Sequence, residues 1–182
     1  MLWVSTQQQA APTVPAHVNI RTARPEEYER IGQLTAAAYV QGGHLPASDP
    51  YMLELADTAA RAELTTVLVA VLPDGSVAAS ATLTEYGAAL AEVARPGEME
   101  FRMLAVAPEH QGKGIARMLV RHIISIAEAR EDISGIAICS LRSMTSAHAL
   151  YRSEGFVTDP ARDFHLQLPG KTMSFPFFLR KV

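Results

Sequence analysis

Thiols are almost absent from this 182-residue chain: Cys139 is its single cysteine. That excludes an intramolecular disulfide framework, and equally a structural zinc site built from several thiolates. An excess of basic charge is missing too. Sixteen Lys and Arg stand against nineteen Asp and Glu, a formal net charge of −3, so no broad positive field draws the chain to nucleic acid. No stretch approaches the roughly 20 continuous apolar residues that span a bilayer, so no membrane partner is expected. Met1 to Val18 holds no Lys, no Arg and no long apolar run, unlike a secretory signal. The six histidines show no His-x3-His spacing, and no metal is inferred. With 48% hydrophobic residues, the expectation is a soluble, cytoplasmic protein whose length suits one domain with an ample core.

Residues 1–17 read as a flexible leader, polar from Ser5 and carrying Pro12 and Pro15, and residues 18–182 as the single domain. A short strand near His17 or Val18 precedes a helix opened by Pro25, with Glu26 and Glu27 in its favoured first turn. Tyr28, Ile31, Leu34, Thr35 and Ala38 recur on its core face, and Gly42-Gly43 stops it. Asp49-Pro50 caps a second helix reaching about Leu64. Thr66–Leu72 is a continuous apolar, β-branched run, a strand covered on both faces, and Pro73-Asp74-Gly75 turns it into a hairpin with Ser76–Thr84. Glu98–Val106 is a long strand, a helix follows from about Gly112 to Arg130, then a strand at Gly135–Leu141 and a helix at Thr145–Glu154. Phe164–Leu168 and Met173–Leu179 are the last strands, with Pro176 at an edge or bulge. Hairpins and helical crossovers together define an α/β protein with a mixed sheet.

The chemistry concentrates where the long strand ends, in Glu100-Phe-Arg-Met-Leu-Ala-Val-Ala-Pro-Glu-His-Gln-Gly-Lys-Gly-Ile-Ala116. Gly112 and Gly114 let the backbone turn tightly and approach a ligand with no Cβ in the way. The first N–H groups of a helix lack internal acceptors, so Gln111 to Ala116 offers a ring of donors at the positive end of the helix dipole. That is a pyrophosphate site in physical terms. No Ser or Thr follows Lys113 in Walker register, and no acidic residue ends the next strand as a dinucleotide fingerprint requires. On spacing alone, the run is either another phosphate loop or an unspecialised one.

Gln111-Gly-Lys-Gly-Ile-Ala116 after Leu104-Ala-Val-Ala-Pro108, followed by Ala149-Leu-Tyr-Arg-Ser-Glu-Gly-Phe156, resembles the GCN5-related N-acetyltransferase (GNAT) family. The resemblance covers about residues 18–182 and includes the order of elements. It implies a mostly antiparallel central sheet flanked by about four helices, with a bulge in strand 4 and a splay between strands 4 and 5. It also implies acetyl-CoA as cosubstrate and acetyl transfer to an amine of a small molecule or peptide. Backbone groups along Leu104, Ala105 and Val106 would pair with the pantetheine arm, and the amides of Gln111, Gly112, Lys113, Gly114, Ile115 and Ala116 would hold the pyrophosphate. Lys113 and Arg117 either meet the remaining phosphate charge or form a solvated helix face. Met103 and Leu104 narrow the acyl pocket toward acetyl. Tyr151 matches the tyrosine that protonates the departing thiolate in many members; the other reading is a packing residue. Met144 stands where the family commonly has Asn, which puts one cofactor hydrogen bond in doubt.

Glu100 matches the catalytic glutamate of some members, with Glu98 two residues earlier on the same face; either carboxylate or water takes the proton of the amine, or both are surface groups flanking Arg102. Cys139 with His122 or His148 offers a covalent alternative, against a buried thiol that behaves as a small hydrophobe. A non-catalytic acyl-CoA-binding module is the competing function class. The acceptor pocket falls to loops 41–49, 85–97 and 159–171; Tyr39, His44 and Asp49 lie in the region that borders the acceptor site in the family, and loop solvation is the favoured reading of each. Phe175, Phe177 and Phe178 form either a homodimer edge or the end of the core.

Overall fold

A computed structural model describes residues 17–168 and 171–182; all of the expected leader except His17 lies outside the described residues. The chain runs β1 (Asn19–Thr22), α1 (Tyr28–Gln41), α2 (Tyr51–Ala56), α3 (Thr58–Leu64), β2 (Thr66–Val71), β3 (Val77–Glu85), β4 (Glu98–Val106), α4 (Ile115–Glu128), β5 (Gly135–Cys139), α5 (Thr145–Ser153), β6 (Val157–Thr158), β7 (Phe164–Leu168), β8 (Lys171–Phe175) and β9 (Phe177–Lys181). Seven strands form one sheet in the order β1-β2-β3-β4-β5-β9-β6, and β7 with β8 makes a separate hairpin. Every pairing in the large sheet is antiparallel except β4 with β5. No helix of the described residues is long and apolar enough to cross a membrane.

Helices cover both faces, which is why β2 reads as a continuous apolar run and why β3 is buried along its length, Ser80, Thr82 and Thr84 included. Leu68, Ala81, Met99, Phe101 and Ile136 pack against Leu119, Ile123, Tyr151 and Phe156 on the α4–α5 side. Val67, Val69, Val71 and Ala105 pack against Ile31 and Leu34 of α1 on the other. Phe177 and Phe178 are fully buried, so of the two readings of the C-terminal aromatics these two belong to the core.

Three boundaries differ from the sequence reading. The second helix is two, because Asp57 leaves helical geometry and its carboxylate accepts from the Ala60 amide, capping α3. The buried Arg61 closes the corner by donating to the carbonyls of Glu54 and Leu55. Among the described residues there are therefore five α-helices, the split of the second adding one to the expected four. The run Met173–Leu179 is also two strands, since Pro176 marks the passage from the β7–β8 hairpin into the main sheet. Helix α4 begins at Ile115, three residues later than Gly112.

Two features of β4 shape the space beside it. Ser80 pairs with Ala105 but Thr82 with Arg102, so one β3 residue faces two on β4: a bulge at Met103–Leu104. Met103 takes φ 52°, the one non-glycine residue at positive φ among those described. The extra residue reverses the alternation: Met99 and Phe101 face α4, yet after the bulge Ala105 faces α1. Second, β4 and β5 pair only at Glu98–Gly135, Met99–Ile136 and Glu100–Ala137, and then part.

Candidate active site

The parting strands open a groove of about 650 Å³ lined by Leu104, Ala105 and Val106 of β4, by Gly112, Gly114, Ile115, Ala116 and Arg117 at the start of α4, and by Met144, Thr145, Ser146, Ala147 and Leu150 at and within α5. The β4 edge beyond Glu100 has no strand partner on this side, so its backbone groups are free to pair with an extended ligand as an added strand. Gly112 at φ 74° and Gly114 at φ 77° carry the chain around the corner into α4. A Cβ on Gly112 would meet nothing within 4 Å, so the glycine is there for its backbone conformation and the open space in front of it. Gly114 is the N-cap of α4 and makes no side-chain cap bond, leaving the first amides of the helix to a ligand. A pyrophosphate fits this cradle.

Not every expected phosphate contact sits ready. The Gln111 amide donates to the Pro108 carbonyl at 3.3 Å and its Nε2 to the Val106 carbonyl at 3.2 Å. Gln111 therefore braces the loop, although it also lines the groove. Lys113 turns its Nζ to the Glu109 carbonyl at 2.8 Å and does not line the groove. Arg117 bonds Ser153 at 2.9 Å and pairs with Glu154.

Tyr151 is 2% exposed, its ring held edge-on by Phe101 at 5.7 Å and Phe178 at 5.6 Å and tilted against Phe156. Burial pushes its phenol well above the ordinary tyrosine range, so it carries its proton at neutral pH. Tyr39 of α1 is raised in the same way by burial, reinforced by the nearby phenols of Tyr51 and Tyr151. Burial also pushes the Cys139 thiol up to about 12, with the Glu100 and Glu92 carboxylates adding to the effect. The phenols of Tyr39, Tyr51 and Tyr151 and the Cys139 thiol thus gather where β4 and β5 part.

Glu100 lies on the α1 side of β4 and is 1% exposed. Its Oε2 accepts the amides of Glu92, Val93 and Ala94 at 3.0, 2.9 and 2.9 Å. Burial raises its carboxyl, and the three amides pull in the opposite direction. Glu98 forms a bidentate pair with Arg162 at 2.8 and 2.6 Å and also accepts the Arg95 amide. Arg102 donates to the Leu90 carbonyl and pairs with Glu92 at 2.7 Å. The surface reading of these carboxylates fails because the 86–97 segment folds down over them. Glu98, Glu100, Cys139 and Tyr151 do not line the groove; Tyr151 lies behind its wall, in the core between α5 and the sheet.

The groove also takes in side chains that motif reading passed over or left as loop: Ala38, Tyr39, Gly42 and His44 from the end of α1 and its loop, and Ser143 before α5. His44 Nδ1 lies 3.0 Å from Ser143 Oγ, bridging residues 99 apart in sequence. A glycine pair breaking α1 just before His44 was the available signal, since it lets the chain fold back over the sheet. Of the expected 159–171 wall, residues 169 and 170 lie outside the described residues.

A splayed strand pair leading to a free helix N-terminus defines an acyl-CoA-dependent transferase. A family model described as the acetyltransferase (GNAT) family matches residues 28–156, more than two thirds of the chain. The chain belongs to that family, and is an acetyltransferase with acetyl-CoA as donor. Among solved structures it is similar to a GNAT acetyltransferase of Staphylococcus aureus Mu50, with TM-score 0.68 and 13% identity over 91% of this chain and 99% of that one. It is similar also to a GNAT protein of Kribbella flavida, with TM-score 0.65 and 22% identity over 91% and 98%. A third is YncA of Salmonella typhimurium, solved with its cofactor acetyl-CoA, with TM-score 0.63 and 21% identity over 91% and 94%. No curated protein matches the chain.

Proposed function

We propose that this acetyltransferase delivers the acetyl group to the nitrogen of an amine, on a small molecule or a peptide, by direct attack in a ternary complex. The observation that carries the direct route is the state of Cys139. Covalent catalysis needs a thiolate open to the thioester; Cys139 does not line the groove, and burial pushes its thiol up to about 12. When bound, acetyl-CoA supplies a thioester carbonyl, and this chain's own groups do the rest.

The amides of Gly112, Lys113, Gly114, Ile115 and Ala116 are proposed to hold the pyrophosphate, and the unpaired edge at Leu104, Ala105 and Val106 the pantetheine. Arg117 would reach phosphate by leaving Glu154. A backbone N–H at the β4 bulge would bind the carbonyl oxygen as charge builds on it. The nitrogen lone pair forms the C–N bond, the C–S bond breaks with its electron pair to sulfur, and sulfur takes the Tyr151 proton. Tyr151 is the proton donor that the family resemblance implies, and its phenol carries its proton at neutral pH. For Glu100 we propose a positioning role: its carboxylate grips the 86–97 segment through three amides and shapes the acceptor side.

Initial rates with both substrates varied test the order of events. Intersecting double-reciprocal lines and an unmodified Cys139 after incubation with acetyl-CoA alone are expected. Parallel lines together with an acetyl group on Cys139, located by peptide mass spectrometry, would overturn the ternary route.

A further inference from the structure

We infer that His44 is the base that takes the proton from the attacking nitrogen, held in register by Ser143. This rests on the amine-transfer reading above. The titratable side chains lining the groove among the described residues are Tyr39, His44, His110 and Arg117. Arg117 is a permanent cation, and His110 belongs to the phosphate end, where its Nδ1 lies 3.5 Å from Lys113 Nζ. Tyr39 is held protonated by burial. His44 remains.

Its place fits the task. The His44 and Tyr39 rings meet edge-on at 6.5 Å, and the Tyr39 phenol lies close enough to those of Tyr51 and Tyr151 to be raised by them. His44 therefore stands on the α1 wall of the groove, facing Ser143 at the start of the α5 wall. Glu100, by contrast, is sealed under the 86–97 segment with one oxygen committed to three amides.

The contact with Ser143 engages Nδ1 at 3.0 Å and fits the tautomer in which Nδ1 carries the hydrogen. With Nδ1–H donated to Ser143 Oγ, Nε2 keeps a free lone pair. Burial lowers the imidazole pKa below its ordinary value, so the ring is neutral at pH 7 and available as an acceptor. Tyr39 on α1, with His110 and Arg117 across the groove, are the titratable groups around it, and no carboxylate lines the groove to raise it. As the C–N bond forms, the nitrogen becomes acidic, and its proton passes to Nε2. Tyr151 gives a proton to sulfur in the same turnover, so the products are amide and free thiol, and solvent exchange resets both side chains.

Two measurements on the full chain test this. The first needs no acceptor: 15N NMR of the His44 ring, alone and with acetyl-CoA bound, should show the Nδ1–H tautomer at pH 7. An Nε2–H tautomer in the acetyl-CoA complex would overturn the inference. The second uses butylamine and the dipeptide Ala-Gly as acceptor probes. His44→Gln should lower kcat/KM by roughly 10²–10⁴ and abolish the acidic limb of its pH profile, with acetyl-CoA affinity by calorimetry unchanged. Ser143→Ala should lower it by only about 2- to 12-fold. A His44→Gln enzyme that keeps the acidic limb would remove His44 from proton transfer. A wild-type enzyme that binds acetyl-CoA but acetylates neither probe would count against the amine reading, while the tautomer still decides the inference about His44.

Discussion

Replacing Tyr151 by Phe removes one oxygen and leaves the ring. That ring is 2% exposed and touches Phe101, Phe156 and Phe178 with centroids 5.6–5.9 Å away, so a phenyl group fills the same space and opens no cavity. The stability cost should stay below about 1.5 kcal/mol, as for a volume-conserving swap. Tyr151→Ala, in contrast, should cost about 3–5 kcal/mol, the usual loss for a buried aromatic. If the hydroxyl protonates the departing sulfur, Tyr151→Phe should lower turnover by roughly 10²–10⁴, which is about 2.7–5.4 kcal/mol of barrier. The Michaelis constant for acetyl-CoA should hardly move, because the loss falls on the transition state. Urea unfolding gives the stability term, and thiol release from acetyl-CoA at saturating substrates gives the rate. A Phe enzyme with turnover within a few-fold of wild type, with chemistry shown to limit the rate, would refute the acid role and leave Tyr151 as packing.

Gly112→Val and Gly114→Val should each cost about 1–2 kcal/mol of stability from the positive φ and lose acetyl-CoA binding; unchanged affinity of both variants by calorimetry would dismiss the phosphate site. Asp57→Ala should cost about 1 kcal/mol by removing the α3 cap, read as a shift in urea midpoint with activity retained. Glu98 is raised by burial but lowered more by Arg162 and the Arg95 amide, so its net pKa is depressed. A depressed carboxylate contributes stability above its unfolded value that is lost as pH falls through the folded one. The stability gap between wild type and Arg162→Gln should therefore shrink on acidification from about pH 6 to about pH 3; a gap independent of pH would mean that the pair is not what Arg162 contributes.

The order of elements along the chain and the glycine turn before α4 were legible because each is local. β2 reads as a continuous apolar run since both its faces are covered, and Gly112 and Gly114 announce a turn that other residues adopt only with strain. What depended on distant chain was not legible. Asp57 splits a helical pattern only because Arg61 reaches back to the α2 carbonyls. The alternation of Glu98, Glu100 and Arg102 against apolar neighbours has the period of a half-wet strand, but the 86–97 segment covers the polar face. The bulge was expected only through the family resemblance, since Met103 carries no glycine signal although it holds positive φ. His44 looked like loop because its partner, Ser143, lies 99 residues away.

The grip on the 86–97 segment is made almost wholly on its main chain. Glu100 takes the amides of residues 92–94, Glu98 that of Arg95, Arg102 the Leu90 carbonyl and Arg162 the Val93 carbonyl. Main-chain atoms are the same whatever the side chains, so the clasp does not read the identity of what it holds. Side chains at 90, 91, 93 and 94 can be randomised while the segment keeps its path, with only Glu92 also spending its carboxylate on the clasp through Arg102. None of residues 86–97 lines the groove, so a library built in this segment varies the proposed acceptor side and leaves the groove wall unchanged.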